Sequence, residues 1–486
     1  MTQEHDLLRE ISYLLAFAIC GIVFATLRSR GLRQWFLLLA SFALYMTWVP
    51  WFAAVLFVSA GMNFMVGIWL RRKNTALPLA TGVVLNLVLL IVFKYLPEFV
   101  TRVPGGRLHA FASLALPLGI SFWTFQALSY LFDLYRGDDL DPSFAEFLLY
   151  MSFFPVTISG PVCRMPEMLP QFRSERPTSR NEVLEGLRRI AIGVFMMQLS
   201  KLLGQGILAS DGIVSGFDRA THWSGPDVWC LAIGYGFELF FDFAGYTHVA
   251  VGAAKALGIS VPENFDRPFS STTASIFWTR WHMSLSFWIR DYVFFPVATW
   301  RREVWWRNLA LAGSMVLFGI WHKATLLFLL WGLYHGVLLV VHRQIQQVER
   351  KFQWEPPAAV WTPLAWISTM ALVSLGWIFF RATSLSQAKE MLLAVVSPHT
   401  YASHFLSLNL YALVAALAAG YAISVWIAGI LDRASESDAP QSGVMVWISR
   451  WRWFWLPAVY ALAMFFVLMI TLTQEGGAGQ LMYRGF

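Results

Sequence analysis

The chain has 486 residues, of which 57% are hydrophobic and only 13% charged, with a mean hydropathy of +0.55. A soluble protein carries about 25% charged residues, so the composition excludes an ordinary soluble domain and points to an all-α polytopic membrane protein. At about 20 residues per span there is room for roughly a dozen membrane segments. The net charge of +7 is better explained by basic cytoplasmic loops than by nucleic acid, because the arginine clusters flank apolar spans and no basic run alternates with base-reading residues.

The opening residues carry Glu4, Asp6 and Glu10 against Arg9. A cleavable signal begins positive, so the first apolar run is expected to be retained as a span. Ten apolar segments read as full spans, near 11–27, 35–50, 52–70, 77–95, 111–134, 187–208, 227–246, 357–381, 409–431 and 453–472. Arg28, Arg30 and Arg33 follow the first, and Arg71, Arg72 and Lys73 follow the third. Basic loops stay in the cytoplasm, which puts the N-terminus outside. The run 145–163 lies between two loops that both read as cytoplasmic. It holds Pro155, Gly160 and Pro161, and a broken or re-entrant segment is expected there. Cys20, Cys163 and Cys230 form no CxxC and no metal spacing, and read as small buried apolar residues.

The stretch 277–296 repeats Trp278, Trp281, Leu285, Trp288, Tyr292 and Phe295 at intervals of three and four, while Thr279, His282, Ser286 and Arg290 fall near another face. That pattern predicts one amphipathic helix at the cytoplasmic interface. Arginines flanking 308–341 sit on the cytoplasmic side at both ends, so this apolar stretch must dip in and return, with His322 near the bottom. Arg450 and Arg452 inside and Phe486 outside complete the expected topology. The whole of 1–486 reads as one membrane domain, with a motif-bearing core over 111–341 and C-terminal helices over 357–472.

An ionisable group at membrane depth is a functional candidate by default. A neutral imidazole at His322 can take the proton of a hydroxyl while that hydroxyl attacks an acyl thioester, and a low-dielectric setting keeps the ring neutral. The bland alternative is a histidine bonded to a carbonyl that closes a broken helix. His282 divides the same way, between chemistry and a bond to a nearby carbonyl or headgroup. Beside it, Ser286, Arg290 and Asp291 can form a pocket for a phosphate-bearing donor, or Arg290 can pair with a carboxylate. Glu238 and Asp242 share one helix face at i, i+4. They either line a polar path with His248 close behind, or pair with buried Arg or Lys. His335 reads as a buried, hydrogen-bonded structural residue. No metal ligand set, Walker loop, GxSxG elbow or HExxH motif occurs.

Five ordered blocks together resemble the membrane-bound O-acyltransferase (MBOAT) family in its bacterial cell-surface branch. They are LPLGISFWTFQALSYLFDLYRG at 116–137, FFPVTISGPVCR at 153–164, FDFAGYTHVAVGAAKALGISVPENFDRPF at 241–269, FWTRWHMSLSFWIRDY at 277–292 and GIWHKATLLFLLWGLYHG at 319–336. The resemblance implies a ring of about 10–12 transmembrane helices with re-entrant and interfacial helices, around a thinned centre with a tunnel. It implies that His322 is the essential histidine and His282 the second catalytic one. Tyr246, Trp281 and Trp321 join Glu238, Asp242, Ser286, Arg290 and Lys323 as the expected lining of the substrate or donor path. WIFFRATSLSQAKEM at 377–391 is similar to the alginate, peptidoglycan and cellulose O-acetyltransferase branch, while HMSLSFW is similar to the teichoic acid D-alanyl transfer subunit. Lys323 stands where the family usually has Gly, and His248 where it usually has Asp.

The expected activity is therefore transfer of an acyl group, acetyl first, from acetyl-CoA or an acyl-carrier thioester used as donor substrate, with no bound cofactor. The expected acceptor is a surface glycan, reached directly or through a periplasmic esterase-like partner, from a bacterial inner membrane. D-alanyl transfer from a carrier protein and a non-catalytic transporter or scaffold are the alternatives.

Overall fold

The computed structural model describes residues 19–47, 49–101, 115–206, 212–219, 222–353 and 357–436. The expected span at 453–472, with Arg450, Arg452 and Phe486, lies outside the described residues, as do the first half of the first span and most of the loop after residue 101. Among the described residues the chain is all-α, and its one β-bridge joins Phe265 to Trp281.

In chain order the helices are α1 (Arg30–Met46), α2 (Pro50–Arg72) and α3 (Ala76–Leu90), which runs on through a π turn at Ile91–Tyr95 and a last helical stretch at Leu96–Thr101. Next come α4 (Ile120–Arg136), α5 (Phe144–Ser152), α6 (Met165–Phe172), α7 (Arg180–Gln205), α8 (Ile213–Arg219) and α9 (Gly225–Ala256). The central set is α10 (Ala274–Arg280), α11 (Met283–Ile289), a π turn at Arg290–Phe294, α12 (Phe295–Ala298), α13 (Val304–His322) and α14 (Leu326–Phe352). The chain then forms α15 (Ala358–Arg381), α16 (Leu385–Val396) and α17 (Leu408–Glu436).

Among the described residues five helices are long and apolar enough to cross a membrane: Pro50–Arg72, Ala76–Val100, Gly225–Ala256, Leu326–Phe352 and Ala359–Arg381. Four of them overlie expected spans. The fifth lies in the expected dip, which takes the form of a hairpin of two helices, α13 and α14, with His322 at its tip. At 1.5 Å per residue these are about 28 and 40 Å long. Of the segment expected at 111–134, residues 115–119 are not helical and α4 begins at Ile120, because Gly119 adopts φ +73 with its α-carbon against the Thr157 carbonyl, where a Cβ would collide. The run 145–163 is broken as expected: α5 ends at Ser152 and irregular backbone follows. Cys163 and Cys230 are buried, while Cys20 is only half-buried.

The chain divides into two compact units, one drawn from Met1–Ile192, Tyr246–Asn264 and His282–Trp300, the other from Gly193–Gly245, Phe265–Trp281 and Arg301–Phe486. In the first unit, Ser143 and Glu146 form a capping box that starts α5. The Glu146 carboxylate also accepts from Arg30 at 3.0 Å and twice from Arg173 at 2.8 Å. The Arg173 hydrogen bonds lead in holding its pKa down to about 2. Asn63 and Asn86, both fully buried, exchange side-chain hydrogen bonds of 3.2 and 2.7 Å between α2 and α3. Such pairs act as polar glue between helices in an apolar setting. Gly186 and Gly252 face each other where α7 crosses α9, each leaving room for the other's carbonyl.

In the second unit, α13 and α14 pack along a seam of small residues. Gly319 abuts the Phe328 carbonyl, Gly332 the Met315 carbonyl, and Gly336 the backbone of Ala312. Absent side chains let the two backbones touch. On its other side α14 meets α15, where Tyr334 donates to the Leu372 carbonyl at 2.7 Å and Gly376 approaches His335.

Candidate active site

His322 is the last residue of α13, at the tip of the hairpin in the second unit. It is 6% exposed. Phe318, one turn back, stacks on its ring at 5.2 Å and 18°. Trp321 lies at 4.7 Å and Phe328 at 6.2 Å. Trp331 from α14 and Phe380 from α15 present themselves nearly perpendicular, at 5.6 Å and 5.2 Å. The imidazole therefore sits in an aromatic cage, stacked parallel to the Phe318 ring. Lys323 follows with extended backbone (φ −155, ψ 132) and an exposed position, so the chain turns outward immediately after the buried histidine.

His335 lies beyond Trp331 in the same unit. It was expected to be satisfied by hydrogen bonds, and this is corrected. Its ring packs at 5.0 Å from Trp331 and 5.2 Å from Trp278, and neither ring nitrogen has a hydrogen-bond partner among the described residues. Trp281 extends the aromatic wall, 5.0 Å from Trp377 and 5.0 Å from Phe265. Trp377 in turn lies 6.0 Å from Phe380.

Glu238 and Asp242 lie one turn apart on α9, both buried. The expected ion pair with Arg or Lys is not formed among the described residues. Arg381 and Lys201 act on them through space only. The Glu238 carboxylate rests on Gly204 of α7, and its Oε2 has no hydrogen-bond partner among the described residues.

His282 belongs to the first unit. The single amphipathic helix expected over 277–296 is broken there: α10 ends at Arg280, and His282 takes a left-handed conformation (φ 46, ψ 49) as the N-cap of α11. The cause lies far away in the sequence. Asn264 accepts the Met283 N–H through its carbonyl at 2.9 Å, and its side-chain oxygen accepts the Ser284 hydroxyl at 2.5 Å. Ser284 Oγ in turn accepts the Val162 N–H at 3.0 Å, and Asn264 Nδ2 donates to Thr247 at 3.2 Å. The His282 carbonyl accepts from Leu285 and Ser286. The residue is 1% exposed, and burial pushes its pKa down to about 3.

Further along the same unit, Arg290 is exposed and donates to Asp291 at 2.7 Å, so of the two readings it takes the carboxylate pair. Asp291 also accepts from Arg164 at 2.8 Å. Burial works to raise Asp291, and the hydrogen bonds from Arg290 and Arg164 outweigh it, leaving the carboxyl below its usual range. Arg136 and Arg164 stand 4.8 and 5.1 Å from the Tyr292 ring, and Tyr292 donates to Asp133 at 2.7 Å. Ser286 and Tyr246 are half-buried in this unit, and His248 lies under the influence of the Arg189–Glu263 pair.

Sequence reasoning found the hairpin histidine but missed Phe380 and Trp331 as its neighbours. The only available signal was the recurrence of aromatics in the LFLLW and WIFF runs, which lipid-facing helices share.

Several helices long and apolar enough to cross a membrane, with a buried histidine at the tip of a helical hairpin, define a polytopic membrane protein. The chain belongs to the membrane-bound O-acyltransferase (MBOAT) family, whose profile matches residues 48–385. It is similar to the peptidoglycan O-acetyltransferase of Helicobacter pylori, 32% identical over 397 residues covering 74% of this chain and 73% of that one. It is equally similar to the probable alginate O-acetylase AlgI of Pseudomonas aeruginosa, 32% identical over 387 residues, 76% and 71% of the two chains. The teichoic acid D-alanyltransferase of Bacillus subtilis is 30% identical over 322 residues, 64% of this chain and 79% of that one. The protein is thus a multi-pass membrane acyltransferase, and the non-catalytic scaffold alternative falls away.

Proposed function

We propose that this acyltransferase moves an acetyl group from a cytoplasmic thioester, acetyl-CoA or an acylated carrier, to a hydroxyl of an extracytoplasmic polysaccharide or cell-wall glycan, with His322 as the proton-transferring residue. The observation that carries this reading is the buried imidazole at the hairpin tip within its aromatic cage. The neutral ring accepts the proton of the acceptor hydroxyl as its oxygen attacks the thioester carbonyl. The carbon–sulfur bond then breaks, and the thiolate leaves as a thiol by taking that proton back. The imidazolium formed between these steps is favoured by the stacked Phe318 ring and by the negative end of the α13 dipole.

O-acetyl transfer is preferred because the relatives so named cover about three quarters of this chain. The similarity to teichoic acid D-alanyltransferases favours carrier-borne D-alanine as the second reading. The glycan is reached directly or through a periplasmic esterase-like transferase. The protein sits in a bacterial inner membrane with its N-terminus outside, and His282 serves as the second catalytic histidine.

The test is His322→Ala in the full-length protein, with surface-glycan acyl content read by mass spectrometry. Removing a general base of this kind costs about 10²–10⁴-fold, so acylation is expected to fall to background at an unchanged membrane level of protein. Acylation at the wild-type rate would sink the assignment.

A further inference from the structure

Four of the rings around His322 belong to the hairpin itself, but Phe380 arrives from α15. Its centroid is 5.2 Å from His322, 4.8 Å from Phe328 and 5.4 Å from Trp331, and the residue is 8% exposed. Its backbone is held at both ends of the last helical turn. Trp377 is buried against Gly236 one turn back, and Arg381 donates to Asp218 at 2.9 Å one residue on. The hairpin rings cannot spread, because the glycine seam already puts the two backbones in contact.

On the reading of His322 as the reacting imidazole, we propose that Phe380 is a specificity-determining residue: its ring fills the space beside His322 that acyl carbons beyond the acetyl methyl would occupy, and so restricts the enzyme to the shortest acyl groups. Close-packed interiors do not yield to extra methylenes without cost. One methylene in an apolar pocket changes kcat/KM by about tenfold or more.

The experiment feeds acetyl and butyryl thioesters of N-acetylcysteamine, the terminus common to coenzyme A and carrier proteins, to inside-out membrane vesicles of the producing cell, which keep the native acceptor. Vesicles lacking the protein give the background, and the readout is the ratio of butyryl to acetyl on the glycan. Phe380→Ala is expected to raise that ratio by about tenfold or more, and Phe380→Trp to lower it. Phe380→Leu keeps most of the packing, and a smaller shift in the same direction is expected from it should the alanine variant not accumulate. Equal losses on both thioesters, with the ratio unchanged in the alanine and leucine variants, would show a merely structural ring and overturn the inference alone. A wild-type protein that transfers neither acyl group would overturn the functional reading and this inference together.

Discussion

A left-handed backbone at a residue with a side chain costs roughly 1–2 kcal/mol, and His282 holds it only because Asn264 and Ser284 fix the turn on either side. Asn264→Ala removes the side-chain acceptor and leaves the Ser284 hydroxyl short of its partner, at a cost of about 1–3 kcal/mol. A lowered melting temperature in detergent is the expected result, and an unchanged one would mean that Asn264 does not hold the turn. His282 also gives a pH dependence whose sign is fixed. Its folded pKa of about 3 lies below the ordinary 6.5, so the unfolded chain takes up a proton that the folded one refuses. The stability tied to this neutral ring is complete above pH 6.5 and is lost progressively as pH falls toward 3. In His282→Gln the melting temperature should decline less steeply over that interval. An identical decline in both proteins would refute the burial of a neutral imidazole. The left-handed turn was not legible in the sequence, since the three- and four-residue spacing of aromatics runs on unbroken through Trp281 and the residues that interrupt it lie near 160 and 264.

The α13–α14 hairpin depends on where its glycines are, not on how many there are. Gly319 faces the Phe328 carbonyl, which as backbone cannot swing aside, whereas Gly313 on the same helix has open space around it. Gly319→Ala should therefore abolish a stable, extractable protein or separate the hairpin arms. Gly313→Ala should be neutral or stabilising by up to about 1 kcal/mol. Size-exclusion profiles after heating the detergent extract compare the two, and equal behaviour would mean the seam does not hold the arms together. Charge counting in the sequence located the return of this segment at His322 because both flanks are basic. The start of α4 was missed for a related reason: apolar residues at 111–119 look like helix, but Gly119 is shaped by Thr157, a residue of another block.

At the scale of the molecule, the five sequence blocks and the family match cover the same central region, residues 116–336 within 48–385, so fold class and family were legible from the chain alone. The cage was not, because its closing ring reaches His322 only through the packing of α14 against α15. The orientation proposed above has its own check. In a chain with Cys20, Cys163 and Cys230 replaced, single cysteines at Arg72 and Lys351 should react with an impermeant maleimide in inside-out vesicles and not in intact cells. Labelling in intact cells would invert the topology. The separation of Phe380 from the hairpin also has a consequence for biogenesis. Chains emerge from the ribosome N-terminus first, and every contact of the glycine seam lies between Ala312 and Gly336. The two arms can therefore zip together as they are released. The imidazole is delivered with them but stays open on one side until α15 has been synthesised, inserted and docked through Gly376 and Leu372. Integration of that one later helix is thus the maturation step that encloses the hairpin histidine.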